Sequence, residues 1–240
     1  MTWIAIPFAC VTVLMTLVGG RIALKLAHNL PTVIAFTGGI VVAVALFDVL
    51  PEAFDAIGNP QTTAALVGAG FLGFFLIERL LVLHHRDDPQ QARAHHQVGA
   101  LGATGLAIHS FIDGLGIGLA FGLDTATGIL VFVAVAAHDF ADGMNMVSFV
   151  LMQSGDRRQA GRWLLADAAA PFLGVLVGAS VSISESALGH VLALYAGFFI
   201  YLGATDLIPE AHHEHASWLR VALTVAGFGL IYAVVRIAAV

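Results

Sequence analysis

Eight stretches of this chain are predominantly apolar for about twenty residues or more, the length an α-helix needs to cross the hydrocarbon core of a bilayer. They cover residues 3–26, 31–57, 63–84, 98–121, 127–152, 160–181, 187–210 and 217–239. Charged residues make up only 11% of the 240 residues and hydrophobic residues 59%. A soluble domain carries about 25% charged residues, so this chain has too few charges to clothe a surface in water. The expected fold is an all-α polytopic membrane protein with eight transmembrane helices, forming a single transmembrane domain over residues 1–240. The connections are short apart from a polar stretch at residues 86–97.

Ten Lys plus Arg against a net charge of -6 leave no basic face for nucleic acid. The one cysteine, Cys10, excludes an intramolecular disulfide and reads as a small buried side chain in an apolar run. The N-terminus turns apolar at once, without the basic stretch and small-residue cleavage site of a secretory signal. The first run is therefore expected to stay as a spanning helix. Of the ten basic residues, Arg21, Lys25, Arg79, Arg86, Arg93, Arg157, Arg158, Arg162 and Arg220 flank the loops after helices one, three, five and seven, and Arg236 alone falls on the other side. The positive-inside rule makes those loops cytoplasmic and both termini extracytoplasmic.

Helix two ends in Asp48-Val49-Leu50-Pro51-Glu52-Ala53, and helix seven ends in Asp206-Leu207-Ile208-Pro209-Glu210-Ala211. With eight spans the two copies face opposite sides of the membrane. That is the mark of an inverted repeat, helices one to three matching six to eight around a central pair, and such repeats favour alternating access over enzymatic chemistry.

The central pair carries the ionisable residues. Helix four contains His109-Ser110-Phe111-Ile112-Asp113-Gly114, and helix five contains His138-Asp139-Phe140-Ala141-Asp142-Gly143. Both read H-x-F-x-D-G, and a His and an Asp four residues apart share one helix face. Both pairs fall near the middle of their apolar runs. An ionisable group at that depth costs at least about 2.5 kcal/mol, and Asp113, Asp139 and Asp142 together repel one another or take up protons. A divalent cation relieves that cost. Two imidazoles and two carboxylates suit Zn²⁺, with Fe²⁺, Mn²⁺ and Cd²⁺ also accommodated, whereas Mg²⁺ prefers all-oxygen ligation. A single His–Asp pair would read as hydrogen-bonded glue between helices; two copies at matched depth favour metal. A metal-dependent hydrolase with Asp139 or Asp142 as general base and a non-transporting metal sensor are the alternatives. Gly114, Gly116, Gly118, Gly122 and Gly143 read as helix-packing residues, and Met146 as core filler rather than a soft ligand.

These residues resemble the ZIP (Zrt/Irt-like) family of divalent metal transporters, in its prokaryotic form. The resemblance covers nearly the whole chain: the paired motifs, the two Pro-Glu motifs, and Gly70-Phe71-Leu72-Gly73-Phe74-Phe75-Leu76-Ile77-Glu78-Arg79 leading into His84-His85. It implies that His109, Asp113, His138 and Asp142 form the primary transport site. The family often has Glu at the two Asp positions, so a slightly wider or wetter cavity is expected here. Ser110 and Asp139 match positions of a second, adjacent metal site in some members, with Ser110 standing where Asn is common. Many members place a carboxylate directly before a proline in helix six. Here Ala170 precedes Pro171, and Asp167, three residues earlier than Ala170, is the nearest acid. The resemblance also implies an elevator-like or rocking motion of helices four and five, and a homodimer. The metal route is expected to enter past Asp48 and Glu52 and to leave past Asp206, Glu210, His212, His213, Glu214 and His215, residues that otherwise read as solvated helix ends. His84, His85, His95 and His96 around the polar loop read as a metal sensor or a plain linker. The cation is cargo, with no prosthetic group expected, and the compact loops fit a bacterial inner membrane.

Overall fold

The computed structural model describes residues 2–84, 91–181, 184–213 and 217–238. His85, Arg86, Glu214 and His215, all singled out above, lie outside the described residues. Among those described, all regular structure is helical: α1 (Thr2–Leu26), a 3₁₀ turn (Ala27–Asn29), α2 (Leu30–Val44), a π turn (Ala45–Val49), α3 (Leu50–Ile57), α4 (Pro60–His84), α5 (Gln91–Leu123), α6 (Thr125–Ser154), α7 (Arg157–Gly178), α8 (Glu185–Tyr201), a second π turn (Leu202–Leu207), α9 (Ile208–His212) and α10 (Trp218–Ala238). By length and composition six helical runs can cross a membrane, or seven when α6 is counted across its 42° bend between Thr125–Val133 and His138–Ser154. The count falls below the eight expected because Ile4–Ile57 forms one run of 54 residues. At about 20 residues per crossing, a run of that length holds two spans.

Residues 91–97, expected in the polar loop, belong instead to the opening turns of α5. Gln91-Ala92-Arg93-Ala94 are strong helix formers and nothing between Gln91 and Val98 breaks a helix, so polarity there does not mark coil. Between α5 and α6 only Asp124 is non-helical. Its extended backbone reverses the chain, and its carboxylate accepts hydrogen bonds from the Thr127 amide and hydroxyl at 2.9 and 2.6 Å, a standard helix N-cap. Those two bonds hold the Asp124 carboxyl below its ordinary range. At the far end of α6, Gly155 adopts φ 66, and Asp156 then caps α7.

The chain divides into two compact units. The first comprises Met1–Leu30, Gly102–Ser182 and Arg236–Val240, so it holds α1, most of α5, α6 and α7. The second comprises Pro31–Leu101 and Ile183–Val235, with the two π-broken helices, α4 and most of α10.

In the second unit the sequence echo becomes a structural one. Gly38 lies against Leu207 and Ile208, Gly203 against Val42, and Gly189 against Ala56 and Ile57. Numbers fall along one helix as they rise along the other, so the two π-broken helices pack antiparallel. A Cβ at Gly39 would overlap the Thr224 carbonyl, and one at Gly227 the Phe36 carbonyl. In the other half, a Cβ at Gly197 would overlap the Val67 carbonyl, and one at Gly70 the Leu194 carbonyl. Gly39 and Gly197 stand equally far before the two prolines, so the contacts of α2 with α10 repeat as those of α8 with α4. Both π turns have one cause. Pro51 and Pro209 lack an N–H, and in an α-helix their rings would strike the carbonyl four residues back. The residue before each proline reaches back five residues instead, Leu50 to the Ala45 carbonyl and Ile208 to the Gly203 carbonyl.

Candidate metal centre

The first unit brings α1, α5, α6 and α7 together, and the two H-x-F-x-D-G motifs sit at equivalent places in it. A Cβ at Gly174 on α7 would overlap the Phe111 carbonyl, and one at Gly114 the Pro171 carbonyl. On the other side, a Cβ at Gly19 on α1 would overlap the Phe140 carbonyl, and one at Gly143 the Thr16 carbonyl. Each motif thus rests backbone to backbone on its own supporting helix, because its own glycine and a glycine opposite its Phe carbonyl leave no side chain between them. Gly116 and Gly122 have nothing within 4 Å of where a Cβ would stand, so the packing role expected for all five glycines holds at Gly114, Gly118 and Gly143 and not at those two.

α5 and α6 run antiparallel in a fixed register. Gly102 meets the Phe149 ring, Asp113 meets His138, and Gly128 meets the Phe121 ring. That register brings the four expected ligands together. His109 Nε2 lies 3.0 Å from Asp113 Oδ2, and His138 Nε2 lies 3.5 Å from the same oxygen and 3.9 Å from Asp142 Oδ2. The imidazole rings face each other, centroids 6.0 Å apart and planes 27° apart. One ligand atom from each residue falls within a set whose members lie within 4.8 Å of one another. Tetrahedral ligands about 2.1 Å from a Zn²⁺ ion stand about 3.4 Å apart, so side-chain movements of about 1 Å close the set on a cation. His109, His138 and Asp142 are buried and the Asp113 side chain is 9% exposed. The middle of the apolar run Ala100–Gly122 is Phe111, midway between His109 and Asp113. Among the described residues this is the one group of three or more His, Cys, Asp or Glu arranged to hold a metal ion.

The residues matched to a second site sit beside it. Ser110 Oγ donates to Asp167 Oδ1 at 2.7 Å, and both residues are buried. Asp139 is fully buried with neither carboxylate oxygen hydrogen-bonded. The residues expected along the outer and inner mouths belong to the second unit. Asp48 and Asp206 lie inside the two π turns, Glu52, Glu210 and His213 are exposed, and His212 Nδ1 lies 2.8 Å from the Ile208 carbonyl. Met146 is fully buried, whereas Cys10, expected to be buried, is exposed on α1.

Three polar residues were given no role from sequence. Glu78 is the one acid of α4, and its Oε2 is buried without a hydrogen bond among the described residues; a single carboxylate inside an apolar run was the available signal. Asn145 and Ser148 on α6 are buried with Oδ1 and Oγ unbonded. Their signal was a series in steps of three that begins with Asp139 and Asp142.

The ZIP Zinc transporter family profile matches residues 83–234, well over half of the chain. The chain belongs to the ZIP family. It is 33% identical to human zinc transporter ZIP4 over 105 residues, 44% of this chain and 16% of that protein. It is 30% identical to zinc transporter ZIP9-B of Xenopus laevis over 167 residues, 64% of this chain and 55% of the relative, and 28% identical to human zinc transporter ZIP10 over 142 residues, 54% and 17%. The matches span about half the length of the ZIP9 relatives and about a sixth of ZIP4 and ZIP10.

Proposed function

We propose that this ZIP chain carries a divalent metal cation across a membrane toward the cytoplasm, with His109, Asp113, His138 and Asp142 as the site the ion occupies on the way. The observation that carries this reading is the convergence of four buried ligands from two helices, each helix seated on its support by the same glycine–carbonyl contacts. Nitrogen and oxygen donors in equal number fit Zn²⁺ first and admit Fe²⁺, Mn²⁺ and Cd²⁺, and the relatives named above are zinc transporters. All four ligands belong to one compact unit, so they can travel together as one body while the ion's access alternates.

Ser110, Asp139 and Asp167 are the candidates for a second, adjacent ion. Asp48 and Glu52 stand for the outer mouth, and Asp206, Glu210, His212, His213, Glu214 and His215 for the inner one. The two units act as one transmembrane domain of eight spans, in a bacterial inner membrane with both termini outside, as the one-sided Lys and Arg distribution supports. A homodimer is part of this reading.

The test is uptake of Zn²⁺ or Cd²⁺ into proteoliposomes holding purified protein, wild type beside the His109→Ala/His138→Ala variant. Inward flux that disappears in the variant supports transport through this site. Stoichiometric metal binding with no flux of any divalent ion would move the reading to a metal-dependent hydrolase or a sensor.

A further inference from the structure

The two halves of the metal centre share the pattern H-x-F-x-D-G, and beyond it the likeness stops. The motif alignment pairs Ser110 with Asp139 and Asp113 with Asp142. Carried on by three and six residues it pairs Gly116 with Asn145 and Leu119 with Ser148. α6 therefore bears oxygen-containing side chains at 139, 142, 145 and 148, while the α5 series turns apolar beyond its Asp.

Steps of three residues rise about 4.5 Å and turn about 60° around a helix, so the four oxygens of α6 form an oblique ladder. Asn145 also lies seven residues from His138, two turns along the same face. The ladder is dry: Asp139, Asp142, Asn145 and Ser148 have relative exposures of 0%, 4%, 1% and 0%. Asn145 Oδ1 and Ser148 Oγ make no hydrogen bond among the described residues. That is unusual for this bundle. Ser154, Thr12 and Thr16 each satisfy their hydroxyl on a carbonyl three or four residues back, and Ser148 does not. A buried polar atom without a partner is costly, and two in series at the edge of a cation site are what a passing cation would satisfy.

We propose that Asn145 and Ser148 are oxygen ligands of an exit path, receiving the divalent cation from the His/Asp centre and leading it toward the C-terminal end of α6, the end assigned to the cytoplasm. This rests on the transport reading above. The ladder exists only on that side of the centre, so it favours release in one direction. Amide and hydroxyl oxygens are neutral and bind divalent ions more weakly than carboxylates or imidazoles do, which suits residues that must pass an ion on.

The experiment compares wild type with Asn145→Leu/Ser148→Ala and Asn145→Asp, as full chains. Equilibrium Cd²⁺ binding and thermal stability are measured in detergent, and initial Cd²⁺ flux in proteoliposomes. For the double variant the expected result is one bound Cd²⁺ with a Kd within twofold of wild type, a flux at least fivefold lower, and an unchanged or higher Tm, because two unsatisfied groups have gone. Asn145→Asp keeps an oxygen but adds charge, so it should bind additional Cd²⁺ and release it more slowly. A double-variant flux within twofold of wild type overturns the proposal, and so does a double variant that loses Cd²⁺ binding or is markedly less stable, since the two residues would then serve the centre or the fold. Absence of flux in wild type itself marks failure of the transport reading, a separate outcome from failure of the exit path.

Discussion

The same substitution two residues apart on α5 should change stability in opposite directions. At Gly118 an added Cβ stands 2.5 Å from the Val175 carbonyl oxygen, 2.8 Å from the Ala179 nitrogen and 3.0 Å from the Gly178 carbonyl carbon. All three are backbone atoms, so no side chain can swing aside, and α5 must part from α7 by about 1 Å to reach ordinary contact. Overpacking of this kind costs about 1–3 kcal/mol. Gly→Ala in a helix returns roughly 0.5–1 kcal/mol through backbone entropy, which leaves Gly118→Ala destabilised by about 1–2 kcal/mol. At Gly116 nothing lies within 4 Å of the added carbon, so Gly116→Ala keeps its gain of about 0.5–1 kcal/mol. At roughly 2–4 °C per kcal/mol for a chain of this size, Tm should rise by about 1–4 °C for Gly116→Ala and fall by about 2–8 °C for Gly118→Ala. Thermal denaturation of the two purified variants in one detergent is the assay. Shifts of the same sign, or a stabilised Gly118→Ala, would refute the claim that glycine–carbonyl contact with α7 seats the first motif.

Asp113 Oδ2 lies 3.0 and 3.5 Å from the two imidazoles, whereas Asp142 Oδ2 lies 3.9 Å from that of His138, so Asp113→Asn should weaken Zn²⁺ binding more than Asp142→Asn does. Losing a charged ligand bond of about 1.5–3 kcal/mol corresponds to a ten- to hundredfold rise in Kd; calorimetric titration of both variants checks the order. Bound imidazoles and carboxylates must be deprotonated, so apparent metal affinity should fall as pH is lowered and binding should release protons, seen as buffer-dependent heats. Pro209→Ala returns an N–H to the helix interior and removes a residue that costs about 3 kcal/mol there. If the proline causes the π turn, this variant should gain stability, and a crystal structure should show the Ile208 amide bonded four residues back rather than five.

The centre was legible in the sequence because its chemistry is local. A His and an Asp four apart define a face by helix geometry alone, and the repetition of His109–Asp113 as His138–Asp142 singles those residues out. The pair of π turns was half legible: Asp48-Val49-Leu50-Pro51 and its echo announced a repeat, and the prolines announced a break. The partners of the glycines were not readable. Gly114 and Gly116 look alike in sequence, and only the position of α7 decides that one is filled and the other open. The start of α5 carries two opposed signals: its polarity points to a loop, and the helix propensity of Gln91-Ala92-Arg93-Ala94 points to the helix that forms. Asn145 and Ser148 were passed over because uncharged polar residues in a spanning helix usually bond to their own backbone, and only atomic positions show that these do not.

The turn at Asp124 leaves the α5–α6 hairpin with no slack. Inserting or deleting one residue there rotates α6 by about 100° against α5 and swings His138 and Asp142 off the face they share with His109 and Asp113. The 29 positions separating the two motifs are therefore a fixed ruler: drift in chain length is expected to be rejected between His109 and His138 and accepted in the connection between α4 and α5, where no ligand depends on the register.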